Sequence, residues 1–156
     1  MSIQAVKQYF KAYGLEHEII TFSSSSATVS LAAAALHCEE AHIAKTLALQ
    51  HQDEAFVLVT AGDTRIDNKK FKPHFGFKAK MLSFEETERF TGHPVGGVCP
   101  FALPSSVKVY LDQSLRRFSF VYPACGSANS AIKLSCDQLE ELSQSKNWLD
   151  VCSIVV

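Results

Sequence analysis

Ile43-Ala44-Lys45-Thr46-Leu47-Ala48-Leu49 is an apolar stretch with a lysine set inside it. Read at a period of two, Ile43, Lys45, Leu47 and Leu49 share one strand face, while Ala44, Thr46, Ala48 and Gln50 take the other. An ammonium in line with core side chains must snorkel to water, pair with an acid, or reach a cavity that holds a polar ligand. The polar His51-Gln52-Asp53-Glu54 follows, and then a second apolar run. The pattern predicts two strands, Ile43–Gln50 and Ala55–Ala61, joined by a hairpin loop.

On the N-terminal side, Ile3, Val6, Tyr9 and Phe10 recur at helical spacing and predict a helix over residues 2–13, stopped by Gly14. Residues 18–22 read as a strand and the serine run 23–26 as a turn. An alanine-rich helix over 27–38 follows, with Ser26 or Thr28 at its cap. On the C-terminal side, residues 67–75 predict a short helix ended by Gly76. Residues 83–90 predict another, with Ser83 and Glu86 spaced as a capping box. Residues 91–104 form a Gly/Pro-rich loop without periodicity, a length that is usually functional inside a compact domain. Strands are expected at 107–111, 118–122, 131–134 and 149–155, a helix at 137–142, and a helix cap at Asp112. Strands without regular βαβ spacing argue against a doubly wound nucleotide fold.

At 156 residues and 17.2 kDa, with 47% apolar and 20% charged residues, the chain is expected to form one domain, 1–156, with a core of its own. No apolar run approaches the ~20 residues that span a bilayer. The start lacks a basic, apolar secretory signal, and the five cysteines are scattered without a CxxC pair. These features predict a cytoplasmic protein with free thiols, no membrane association and no zinc or dithiol site. The net charge of −1 disfavours a protein that grips nucleic acid over a wide surface, such as a non-specific DNA binder. Arg65, Lys69, Lys70, Lys72, Lys78 and Lys80 nonetheless face a single acid, Asp67, over residues 65–80. This basic run is either a solvated face or the landing site for a polyanion.

Two loops could frame chemistry. Gly96-Gly97-Val98-Cys99-Pro100 has the composition of a surface turn, or of a loop that presents backbone N–H groups to an oxygen. It is not a Walker loop, because no GK[ST] follows. Gly126-Ser127-Ala128-Asn129-Ser130 is either a turn or a ligand rim. Cys99 has no identifiable base and reads as a packing residue. His37, His42, His51, His74 and His93 share no metal-ligand spacing.

Taken in order, these segments resemble the YbaK/prolyl-tRNA synthetase-associated editing domain family over about residues 26–142. Thr28-Val29 opens the alanine-rich helix as in that family, and Ile43-Ala44-Lys45-Thr46-Leu47 is similar to its I-x-K-[ST]-L strand. Arg65-Ile66-Asp67-Asn68-Lys69-Lys70 resembles its R-[VIL]-[DN]-x-K-K segment. Glu85-Glu86 through Thr91-Gly92 matches its helix end, and Gly96 to Pro100 its GxxxP loop. The resemblance implies an α+β domain whose mixed, mostly antiparallel sheet curls around a pocket with flanking helices. It further implies hydrolysis of mischarged aminoacyl-tRNA, chiefly tRNA for proline carrying a small residue such as alanine, cysteine or serine, without metal or other cofactor.

The partners would be the 3′ acceptor end and an aminoacyl-tRNA synthetase. Lys45 would orient the ester or the terminal nucleotide, with Gly96 and Gly97 holding the oxyanion through their backbone. Thr28, Thr46, Val98, Cys99, Pro100, Ser127 and Asn129 would line the substrate site, and Lys69, Lys70 and Lys72 would meet tRNA. The competing expectation is a non-catalytic module that holds nucleotide or tRNA 3′ ends, or a synthetase partner, in the same pocket.

Overall fold

The computed structural model describes residues 2–145 and 147–155. Helix α1 (Ser2–Lys11) buries Val6 and Phe10, and strand β1 (Ile20–Thr21) follows a 3₁₀ turn at Glu16–Glu18. Helix α2 (Val29–Leu36) starts at Thr28, whose Oγ1 accepts from Leu31 N–H at 3.1 Å. Its Ala32 and Ala33 are buried against Ile43, a close approach that only small side chains permit. Strands β2 (Ile43–His51) and β3 (Glu54–Ala61) form the expected hairpin. Its register sets Lys45 opposite Thr60, Leu47 opposite Leu58, and Thr46 opposite Val59, so the two faces divide as the alternation predicts.

Beyond the hairpin come β4 (Thr64–Ile66), α3 (Asn68–Phe75) and α4 (Phe84–Thr91). The capping box and the Gly76 stop read from the sequence are present: Ser83 and Glu86 bond reciprocally, and Gly76 ends its helix with positive φ, as Gly92 does for α4. Asp67, not singled out as a cap in the sequence, caps α3 by accepting from Lys69 N–H. The remaining elements are β5 (Lys108–Asp112), β6 (Tyr122–Pro123), β7 (Ser130–Ala131), α5 (Cys136–Ser143), β8 (Trp148–Leu149) and β9 (Cys152–Ile154). Asp112 does cap a helical turn, the 3₁₀ segment Gln113–Arg117.

The central sheet has the order β6-β2-β3-β5-β8, and two small antiparallel ladders, β1-β7 and β4-β9, lie outside it. The sheet is mixed, as expected. Its antiparallel part is the long hairpin, and its three other junctions, β2-β6, β3-β5 and β5-β8, are parallel. The largest core cluster packs α1, β3, β5 and α5 around Phe10, Phe101, Leu111 and Leu139. This is the α+β class expected from the sequence.

Three departures have local causes. The single strand expected at 149–155 is two, because Val151 N–H turns aside to Asp112 Oδ1 at 3.0 Å and Val151 C=O accepts from Asp67 N–H at 2.9 Å. The chain therefore leaves β5 as β8 and joins β4 as β9. Strand β4 was not expected; it exists because β9 reaches it. The strand expected at 131–134 pairs with β1 only through Ser130–Ala131, after which Ile132 and Leu134 bond to Pro123 and Val121 instead.

Candidate functional site

Among the described residues only the short β6 lies outside β2 in the sheet, so the covering of β2 changes along its length. Strand β6 pairs with it at Ile43–Ala44, and Met81 bridges to it at Leu49 with Leu82 N–H donating to Ala48 C=O, leaving Lys45–Leu47 between two covers. A cavity of about 290 Å³ opens there. Its floor is Ala44, Thr46 and Ala48 of β2, and its walls come from α2 with the turn before it, the Gly96 loop, and Ala124, Ser130 and Ala131. Met81, Phe84 and Val95 border it as well.

The lining is apolar, and its serines and threonines are almost all spent on the fold. Ser26 donates to Ala128 C=O, Thr28 caps α2, Thr87 donates to Ser83 C=O, and Ser130 accepts from Cys125 N–H. Thr46 is the exception: its Oγ1 is the one buried side-chain oxygen or nitrogen without a hydrogen-bond partner among the described residues. A buried hydroxyl without a hydrogen-bond partner costs about 1–3 kcal/mol, so a group that bonds it is favoured in the cavity.

Lys45 also borders the cavity, half-buried, and its ammonium donates to Thr64 C=O. The ammonium is thus held by a backbone carbonyl of β4, an acceptor outside the three options that strand alternation offers a lysine. That bond occupies one of three N–H donors and leaves two. Burial pulls the Lys45 pKa down from the ordinary lysine value, partly offset by Cys152 and by Asp63, which Arg117 holds bidentately at 3.0 and 2.6 Å. Behind Lys45, Thr60, Thr64 and Ser114 share a chain of hydroxyl hydrogen bonds that ties β3 to the 3₁₀ turn.

The two loops meet, but not every residue read from the sequence reaches the cavity. Gly96 has φ +93° and sits where a Cβ would come within 2.9 Å of Ala27 Cβ; with Val98 it lines the cavity. Neither the Gly96 nor the Val98 amide has an internal acceptor among the described residues. Gly97 does not line the cavity. Its N–H donates to Pro94 C=O at 2.9 Å, so this amide is unavailable to an oxyanion, and its Cα packs on the Ser127 backbone.

Cys99 turns inward, fully buried, with Sγ 3.5 Å from His93 Nε2. Burial pushes its thiol up to about 12, and His93 Nε2 already donates to Phe101 C=O at 2.8 Å, so Cys99 packs in the core and does not line the cavity. Pro100 faces a second groove beside Tyr9. Ser127 and Asn129 bond one another and Asn129 Nδ2 donates to Phe22 C=O, so this pair shapes the loop while Ser130 lines the cavity.

Lys69, Lys70 and Lys72 lie exposed on α3. Lys70 is bonded to Asp150 and to Cys152 C=O, both at 3.0 Å, which raises its pKa and ties α3 to β9; it is a structural lysine first. Met81, Phe84 and Val95 carried no signal in the sequence, because a pocket rim has no periodicity, whereas Ser130 lies in the loop read as a possible ligand rim.

Among the described residues no three His, Cys, Asp or Glu side chains gather as a metal set, and no helix is long and apolar enough to cross a membrane. The sequence matches a family model described as the aminoacyl-tRNA editing domain over residues 23–142. It is 48% identical over 153 residues, 97% of this chain and 98% of the other, to the uncharacterized protein YwhH of Bacillus subtilis strain 168. Among solved structures, the hypothetical protein APE2540 is similar at 30% identity and a TM-score of 0.85, covering 96% of this chain and 99% of that one. A candidate trans-editing enzyme for prolyl tRNA synthetase shares the fold at 24% identity and a TM-score of 0.86, with 97% of each chain covered. With a family model matched over most of its length, this chain belongs to the aminoacyl-tRNA editing domain family.

Proposed function

We propose that the protein hydrolyses the ester of aminoacyl-tRNA charged with a small non-cognate residue, with tRNA for proline as the first candidate. The observation that carries this reading is the cavity itself: about 290 Å³, apolar-walled, with one unsatisfied hydroxyl on its floor and one lysine at its edge. Ligand pockets run from about 300 to 1,000 Å³, so this one suits a short side chain and its ester.

In this mechanism Lys45 uses its two remaining donors on the ester or the terminal ribose, and Thr46 Oγ1 bonds the aminoacyl group. The free amides of Gly96 and Val98 receive the oxyanion, taking the place expected of Gly96 and Gly97. Water or a neighbouring ribose hydroxyl attacks, since an aminoacyl ester is activated enough to need no protein nucleophile. Lys69 and Lys72 supply positive charge to the acceptor stem. The reading also implies a cytoplasmic site of action and delivery of tRNA by a synthetase.

The test is release of labelled amino acid from alanyl-, seryl- and cysteinyl-tRNA for proline, with cognate prolyl-tRNA as control. Turnover of at least one mischarged species with prolyl-tRNA spared is expected. Tight binding of all of them with no release would make the protein a holding module.

A further inference from the structure

Phe84 is the most exposed large apolar side chain among the described residues, at 75%, and Met81 at 52% and Val95 at 42% are exposed with it. The three come from different segments yet all border the same cavity. Their positions are fixed. The Ser83–Glu86 capping box sets the start of α4 under Phe84, Met81 bridges to Leu49, and Lys80 C=O accepts from Gln50 N–H at 2.9 Å. Immediately before Met81, the exposed Lys78 and Lys80 end the basic run. An exposed aromatic ring that follows a basic run in sequence, with Glu85 and Glu86 of α4 beyond it on the other side, matches the way proteins seat single-stranded nucleic acid without reading its sequence, on a π-face approached along positive charge.

We infer that Phe84, flanked by Met81 and Val95, is the stacking platform for the terminal nucleobase of the acceptor end. The inference rests on the proposed substrate. An aminoacyl ester is carried on the ribose of the terminal nucleotide, so an aminoacyl group in the cavity leaves the base on that ribose at the mouth. The rim offers a π-face and apolar edges, which suit any base and add affinity without selectivity.

The experiment compares binding of the ribo-oligonucleotide 5′-ACCA-3′ with the same oligonucleotide lacking its terminal base, using wild type, Phe84→Ala and Phe84→Trp. Wild type is expected to prefer the intact end by about tenfold, as one stacked base gives. Phe84→Ala should erase that preference and Phe84→Trp should keep or widen it. A preference unchanged in Phe84→Ala, or no binding of the intact end by wild type at millimolar concentration, overturns the inference. So does a wild-type dimer that Phe84→Ala turns into monomer, which would make the rim a contact between copies. Failure of the release assay with the base preference intact would remove the hydrolytic reading and leave the platform standing.

Discussion

Thr46 and Lys45 are adjacent and project to opposite faces of β2, so one can be altered without the other. Replacing Thr46 by valine keeps the shape and removes an unpartnered hydroxyl, and should raise stability by up to about 1 kcal/mol in a denaturant titration. If that hydroxyl bonds the aminoacyl group, the same substitution should lower kcat/KM about tenfold. A more stable but slower variant marks a residue kept for its ligand; unchanged kinetics would return Thr46 to the floor of the fold. Lys45→Ala should cost at least about 100-fold in kcat, on the scale of losing one oxyanion donor, with the melting temperature held or slightly raised because a partly desolvated charge is gone. Wild-type turnover in that variant would remove Lys45 from the mechanism. Alternation alone made Lys45 visible in the sequence. It could not show that Thr46 lacks a partner, because that depends on where Ser26, Thr28, Thr87 and Ser130 spend their hydroxyls.

Elements with local causes were legible: the β2–β3 hairpin, the caps at Thr28 and Ser83, and the glycine stop of α3. Elements made by partners were not. Strand β4 exists through β9, and the break between β8 and β9 is imposed by Asp112 from another strand. The Gly96–Pro100 loop mixes both kinds. Its glycines advertised an unusual backbone, but the positive φ lies at Gly96, whereas Gly97 is required by proximity. A Cβ at Gly97 would stand 2.7 Å from the Ser127 backbone, which cannot yield as a side-chain tip would. Gly97→Val should therefore part the two loops, lowering stability by about 1–3 kcal/mol and moving the cavity wall with a matching loss of activity. Cys99→Ser, similar in size and facing inward, should keep most of the activity. A dead Cys99→Ser enzyme with a trapped thioester in wild type would overturn the packing role given to Cys99.

At the scale of the molecule, the cavity wall is held from behind by the start of the chain. Ser2 fits between Gly126, where a Cβ would come within 2.6 Å of Ser2 Oγ, and His93, whose Nδ1 accepts from that hydroxyl. With Nε2–H donating to Phe101 C=O, both ring nitrogens are satisfied only in the neutral imidazole. Burial lowers the His93 pKa below its ordinary 6.5, with the Phe101 carbonyl opposing, so the folded protein resists a proton that the unfolded chain accepts. Stability from this residue is complete above about pH 6.5 and declines as pH falls below it, down to the folded-state pKa, with a slope of at most about 1.4 kcal/mol per pH unit for one proton. Carboxylates held low by hydrogen bonds, such as Asp63 with Arg117, act at more acidic pH and leave the window just below 6.5 to histidine. His93→Gln should lower stability at pH 7.5 and flatten its dependence between about pH 6.5 and 5, as read from urea midpoints at each pH. Because Ser2 and the Gly96 loop lean on the same ring through Cys99 and Phe101, protonation should loosen the cavity wall before the molecule unfolds. Hydrogen exchange of the amides at 93–101 should therefore quicken in wild type as pH falls from 7 to 5.5, after correction for the intrinsic rate. The same amides in His93→Gln should show no such change, and an equal slope in both proteins would mean that the ring does not carry the coupling.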